Sequence, residues 1–84
     1  MNCYLVVALR TATFDPNIIA PHKAYLDELR NAGTLELAGP FNDGSGGAYT
    51  ILAEDYESAT KIAFQDPIAT SGSSTLEVYE WNIK

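Results

Sequence analysis

Apolar residues gather in short, β-branched or alternating runs at four places along the chain and recur at helical spacing in two stretches between them. The first run, NCYLVVALR from Asn2 to Arg10, is bounded by polar residues and predicts a strand. Its apolar positions fall on both faces: Cys3, Leu5, Val7 and Leu9 on one, Tyr4, Val6 and Ala8 on the other. Asp15, Pro16 and Asn17 are turn or helix-start residues, and Pro21 is a second candidate first-turn residue. A proline deep inside a helix removes a hydrogen bond and clashes with the preceding turn, so the continuous helix is expected to start near Pro21. From there His22, Tyr25, Leu26, Leu29 and Ala32 form an inner stripe, with Lys23, Asp27, Glu28, Arg30 and Asn31 on the other side. Gly33 supplies a left-handed cap.

Alternation returns in TLELAGPF, where Leu35 and Leu37 flank Glu36, while Gly39 and Pro40 confine the end of this second strand to an edge or a bulge. NDGSGG follows and AYTILAE resumes strand character at Ala48, so the two strands form a hairpin with a somewhat long connection. A phosphate-cradling use of these glycines needs a strand before and a helix after, and here strands lie on both sides. Residues 43–47 offer little apolar burial, which predicts a mobile loop able to act as a lid. DYESATKIAFQDP is a second amphipathic helix, capped by Asp55, with Tyr56, Ala59, Ile62 and Ala63 inward. Pro67 pushes Asp66 out of helical geometry and ends it near Gln65. After a short polar loop, TLEVYEWNIK is the last strand, with Leu76 and Val78 on one face and Tyr79, Trp81 and Ile83 on the other.

The order strand, helix, strand, strand, helix, strand predicts an α+β, ferredoxin-like βαββαβ fold: a four-stranded antiparallel sheet with two helices on one face. No repeat, linker or low-complexity tract breaks residues 1–84, so one domain is expected. The second sheet face is left uncovered. Because the first and last strands are apolar on both faces, the expectation is a homodimer joined through the open face, burying some of Tyr4, Val6, Tyr79 and Trp81. A domain of 84 residues gains from such a partner.

Charge then narrows the partners. Eleven acidic against five basic side chains give a formal charge of −6, and the basic residues are scattered singly, which argues against nucleic acid and anionic membranes. The longest apolar run, Tyr4 to Leu9, is far below the roughly 20 residues of a membrane span, and no basic segment precedes it as in a signal peptide. A soluble, cytoplasmic protein is expected. One cysteine, Cys3, makes no internal disulfide and reads as a packed thiol, and one Cys with one His is too few for an ordinary structural zinc site. No cofactor or metal is expected.

The remaining candidate chemistry centres on the sole histidine, His22, which lies on the apolar stripe of the first helix. In a first helical turn the dipole disfavours the imidazolium, and a neutral ring can accept a proton. The alternative is a half-buried structural histidine bonded to a carbonyl, with Asp66 capping a turn before Pro67. His22 in PHKAYLDELRNAG, the string Leu37-Ala38-Gly39-Pro40, the Gly-rich turn, the Asp66-Pro67 pair with Gly72 beyond it, and the final EVYEW together resemble the YCII-related domain family over nearly the whole chain. Thr11 and Ile68 depart from the charged and bulky aromatic residues usual at those places. The resemblance implies a dimeric α+β barrel and a His–Asp active-site dyad, here His22 and Asp66, with Tyr25, Gly39, Pro40 and Arg10 as substrate-binding candidates. It implies a small-molecule enzyme of lyase, isomerase or dehydrochlorinase type. The reading from a different class is a non-catalytic module that binds a small ligand or a partner in the same pocket.

Overall fold

The computed structural model describes residues 1–83, so Lys84 at the end of the expected last strand lies outside the described residues. Strand β1 (Asn2–Arg10) pairs antiparallel with β3 (Gly46–Ala53) on one side and β4 (Ser74–Glu80) on the other, and β2 (Leu35–Pro40) pairs with β3. The order β2-β3-β1-β4 is the ferredoxin-like one. Register decides which residues share a face, because side chains alternate with a period of two. Val6 stands opposite Tyr49 and Val78, so Tyr4, Val6, Ala8, Tyr49, Ile51 and Val78 all turn to the helices.

The outer patch is therefore only in part the one expected: Tyr79 and Trp81 are on it, Tyr4 and Val6 are not. Tyr4 and Val6 are wholly buried in the chain's own core, and the uncovered face carries Leu5, Val7, Leu9, Leu37, Tyr79 and the following Trp81. On this face Thr50 is also buried, its hydroxyl accepting the Leu37 N–H at 3.1 Å across a bulge in β2.

Asp15 caps a 3₁₀ turn, Pro16–Ile18, by accepting the Asn17 N–H at 2.9 Å, and this turn runs straight into α1 (Ile19–Asn31). Helical backbone thus begins before Pro21. The proline sits third in α1, among the leading N–H positions that have no intrahelical acceptor, so nothing is lost by its missing donor. Gly33 ends the helix at φ 78° as its sequence position predicts. Helix α2 (Tyr56–Phe64) is capped by Asp55, which accepts the Ser58 N–H at 2.7 Å. Tyr56, expected inward, is 53 % exposed at the helix start, where it tilts against Tyr4.

Where a polar loop was expected, Pro67–Thr70 forms a short helix, α3. Pro67 fixes the first helical φ and Asp66 caps the turn, accepting the Ile68 N–H at 3.1 Å. The second strand of the hairpin also starts earlier than expected, before Ala48. Gly46 and Gly47 belong to β3, and a Cβ on Gly46 would stand 1.9 Å from the Ala8 carbonyl oxygen, so this residue permits a close strand approach. Ser45 also accepts from the Arg10 N–H, and Gly46 from Phe41.

Candidate active site

The topology fixes which helix ends meet. Helix α1 starts over the end of the sheet where β1 stops; α2 follows β3, which runs antiparallel to β1, and so finishes over that same end. His22 in the first turn of α1 and Asp66 at the α2–α3 junction are thereby neighbours. The His22 Nδ1 lies 2.9 Å from Asp66 Oδ1 and 2.8 Å from Oδ2.

Asp66 has no exposed surface, whereas the His22 side chain is 22 % exposed. A buried carboxylate is tolerable when donors meet its oxygens. Asp66 has two: the imidazole N–H at Nδ1 and the Ile68 amide. A carboxylate only accepts, so Nδ1 carries the ring proton and Nε2 keeps its lone pair in the neutral imidazole. The cap expected of a merely structural Asp66 and the partner expected of a dyad are thus the same group serving both.

Beside this pair lies a cleft of about 540 Å³. One wall is a continuous stripe of α1: Ile19, His22, Lys23, Leu26, Asp27 and Arg30. The opposite wall is the end of the β2–β3 hairpin, with Gly39, Pro40, Gly46, Gly47 and Tyr49, and Arg10 and Phe14 close one side. Asp66 does not line it, so His22 is the member of the pair that borders the cleft.

Of the residues expected to bind substrate, Arg10, Gly39 and Pro40 line the cleft and Tyr25 does not. The Tyr25 hydroxyl donates to the Ile62 carbonyl at 2.6 Å, tying α1 to α2, and its phenol is pushed up by burial and then by the charges of Asp66 and Glu28. Helical spacing put Tyr25 on the inner stripe, but that stripe is wide enough to serve two contacts, and Tyr25 takes the α2 side. Lys23 and Arg30, read as solvent-facing, border the cleft with His22.

Tyr49 was missed. Its ring centroid lies 6.4 Å from that of His22, the residue is 3 % exposed, and its buried hydroxyl has no hydrogen-bond partner among the described residues. Burial first, then the negative charge of Asp66, and last the approach of the hydroxyl to the Asp66 carboxylate, beyond direct hydrogen-bond distance, push this phenol well up. The alternation of Tyr49 with Ile51 in AYTILAE was enough to place it inward, though not to place it against Asp66. Among the described residues no group of three or more His, Cys, Asp and Glu could hold a metal ion. The Cys3 thiol, on the outer face, is pushed up by burial and by Glu36.

Residues 7–82 match the model of the YCII-related domain. The chain belongs to that family. A second member, described as the uncharacterized protein YjpA of Bacillus subtilis (strain 168), is 42 % identical over 84 residues, spanning 100 % of this chain and 99 % of the relative. Among solved structures, the 5-chloro-2-hydroxyhydroquinone dehydrochlorinase TftG of Burkholderia phenoliruptrix AC1100, in complex with 2,5-dihydroxybenzoquinone, superposes with a TM-score of 0.77 over 98 % of this chain and 95 % of that one, at 18 % identity. At that identity the likeness is one of fold: this YCII-related protein and the dehydrochlorinase share the ferredoxin-like architecture.

Proposed function

We propose that this YCII-related protein is a cofactor-independent acid–base catalyst of lyase or isomerase type acting on a small molecule, with His22 as the base. The observation that carries this reading is the contact of Nδ1 with both oxygens of a fully buried Asp66, on a ring that borders an open cleft. Asp66 holds the tautomer and stabilises the imidazolium that forms, the supporting role a general base requires. Nε2 takes a proton from a carbon beside a carbonyl, or from a hydroxyl conjugated with the reacting carbon. The electron pair left behind forms a new π bond and moves through the conjugated framework, breaking a C–Cl bond with loss of chloride or picking up a proton at another carbon, and His22 returns its proton to product or water. The shared fold makes 5-chloro-2-hydroxyhydroquinone a rational first substrate. We further propose that the unit works as one cytoplasmic domain, paired with a second copy through the outer face. No helix among the described residues is long and apolar enough to cross a membrane, and Leu37, Tyr79 and Trp81 stay 67 %, 49 % and 44 % exposed in a single chain.

Turnover of that compound and of related hydroxylated chloro-aromatics by wild type, His22→Gln and Asp66→Asn tests the reading. Each substitution is expected to lower turnover by about a hundred- to ten-thousandfold with the fold retained by circular dichroism. Variants that keep wild-type rates would sink the dyad as the catalytic device.

A further inference from the structure

The cleft has a charge opposite to that of the protein. Of five Lys and Arg side chains in the sequence, three, Arg10, Lys23 and Arg30, line it; of eleven Asp and Glu, one does, Asp27. Asp27 is already engaged, bonded to Arg30 at 2.9 Å, so that pair is close to neutral. Arg10 and Lys23 form no ion pair among the described residues. The guanidinium of Arg10 lies 4.2 Å over the ring of Phe14, another cleft residue, a stacking that orients the cation without cancelling its charge. The carboxylate of Asp66 sits behind His22, already met by two donors and walled off from the cleft. In a chain of formal charge −6, a small organic anion is repelled by the surface at large and attracted at this one place.

We propose that the cleft selects a small organic anion, a carboxylate or an ionised phenol, with Arg10 and Lys23 meeting the charged oxygen while the imidazole of His22 faces the carbon framework. The assignment names the substrate class of the site proposed above; it rests on that reading for the proton transfer and stands apart from it for binding. The two cations lie on different elements, Arg10 at the end of β1 and Lys23 next to His22 in α1, so an anion held between them is fixed in orientation relative to the base. Neutral molecules of the same shape gain only the apolar contacts of Phe14, Ile19 and Leu26.

The test is a matched pair of probes, 4-hydroxybenzoate and 4-hydroxybenzamide, titrated into the protein by NMR at two salt concentrations. The acid is expected to bind about tenfold or more tightly than the amide, with the advantage shrinking as salt rises. Lys23→Gln and Arg10→Gln should each weaken the acid about three- to tenfold and leave the amide unchanged, while Lys23→Arg keeps the preference. His22→Gln should retain the acid preference even though it lowers turnover about a hundredfold or more, so that failure of the proton-transfer reading and failure of anion selection show up separately. Equal affinities for acid and amide, a preference that survives the double Arg10→Gln/Lys23→Gln change, or no binding of the acid at concentrations on the order of 10 mM would each overturn the proposal.

Discussion

The two faces of the sheet are built from the same strands yet do opposite things. On the covered face Tyr4, Val6 and Ile51 have no exposed surface, and at one end of it His22, Asp66 and Tyr49 meet. On the other face Leu5 and Val7 are half-buried among their own neighbours, Leu9, Leu37, Tyr79 and Trp81 stay largely exposed, and the Tyr79 hydroxyl donates to the exposed Glu77 carboxylate. One face uses its apolar surface to hold a pair of polar groups; the other leaves it exposed, where we propose that a second copy sits. Hydrophobicity alone does not distinguish them, since β1 is apolar on both sides, and what separates them is where the connections place the helices.

Single substitutions on the two faces should therefore differ in kind. Ile51→Ala removes a wholly buried side chain from the middle of the core and should cost about 2 to 5 kcal/mol in urea denaturation. That loss should be the same at every protein concentration. On the outer face Leu5→Lys, next to Tyr79 in the register, should leave the fold intact but abolish pairing of copies. With the wild type the unfolding midpoint should rise with protein concentration, and in Leu5→Lys it should not. A wild-type midpoint independent of concentration, together with a monomer mass by light scattering, would remove the association role from this face and leave its apolar surface without an occupant.

Much of this was legible in the sequence because it rests on local rules. The strands of Tyr4–Leu9 and Leu76–Tyr79, the caps at Asp55 and Gly33 and the βαββαβ order follow from alternation, helical spacing and turn chemistry. The sequence left open whether His22 and Asp66 meet; the structure decides it, since β1 and β3 are antiparallel and α1 therefore starts over the end of the sheet at which α2 finishes. What was not legible depends on register and on width. Alternation sorts Tyr4, Val6 and Ala8 from Leu5, Val7 and Leu9 but does not say which set the helices cover; that comes from pairing Val6 with Tyr49 and Val78. The α1 stripe contacts both α2 and the cleft, so the spacing could not tell that Tyr25 turns to Ile62 while Lys23 turns to the cleft. The short helix after Asp66 hid in a Pro-initiated tetrapeptide, too brief to carry a period.

The smallest effect expected is also the finest test of the two faces, because it compares adjacent residues of β3 that point to opposite sides. Tyr49 and Thr50 are both buried hydroxyls, at 3 % and 4 % exposure. Thr50, on the outer face, accepts the Leu37 N–H at 3.1 Å, while the Tyr49 hydroxyl on the covered face has no partner among the described residues. Removing a satisfied hydroxyl strands its partner, so Thr50→Val should destabilise by about 0.5 to 1.5 kcal/mol. Removing an unsatisfied one strands nothing, so Tyr49→Phe should change stability by less than about 0.5 kcal/mol, or raise it slightly as the desolvated group disappears. The phenol is nonetheless kept beside the Asp66 carboxylate, which argues for a use other than stability. Turnover measured alongside urea denaturation separates the possibilities: Tyr49→Phe should lower the rate while leaving the fold untouched, whereas Thr50→Val should do the reverse. If Tyr49→Phe instead destabilised the protein as much as Thr50→Val and left turnover alone, the hydroxyl would be a satisfied structural group, and the functional side of the sheet would reduce to His22 and Asp66.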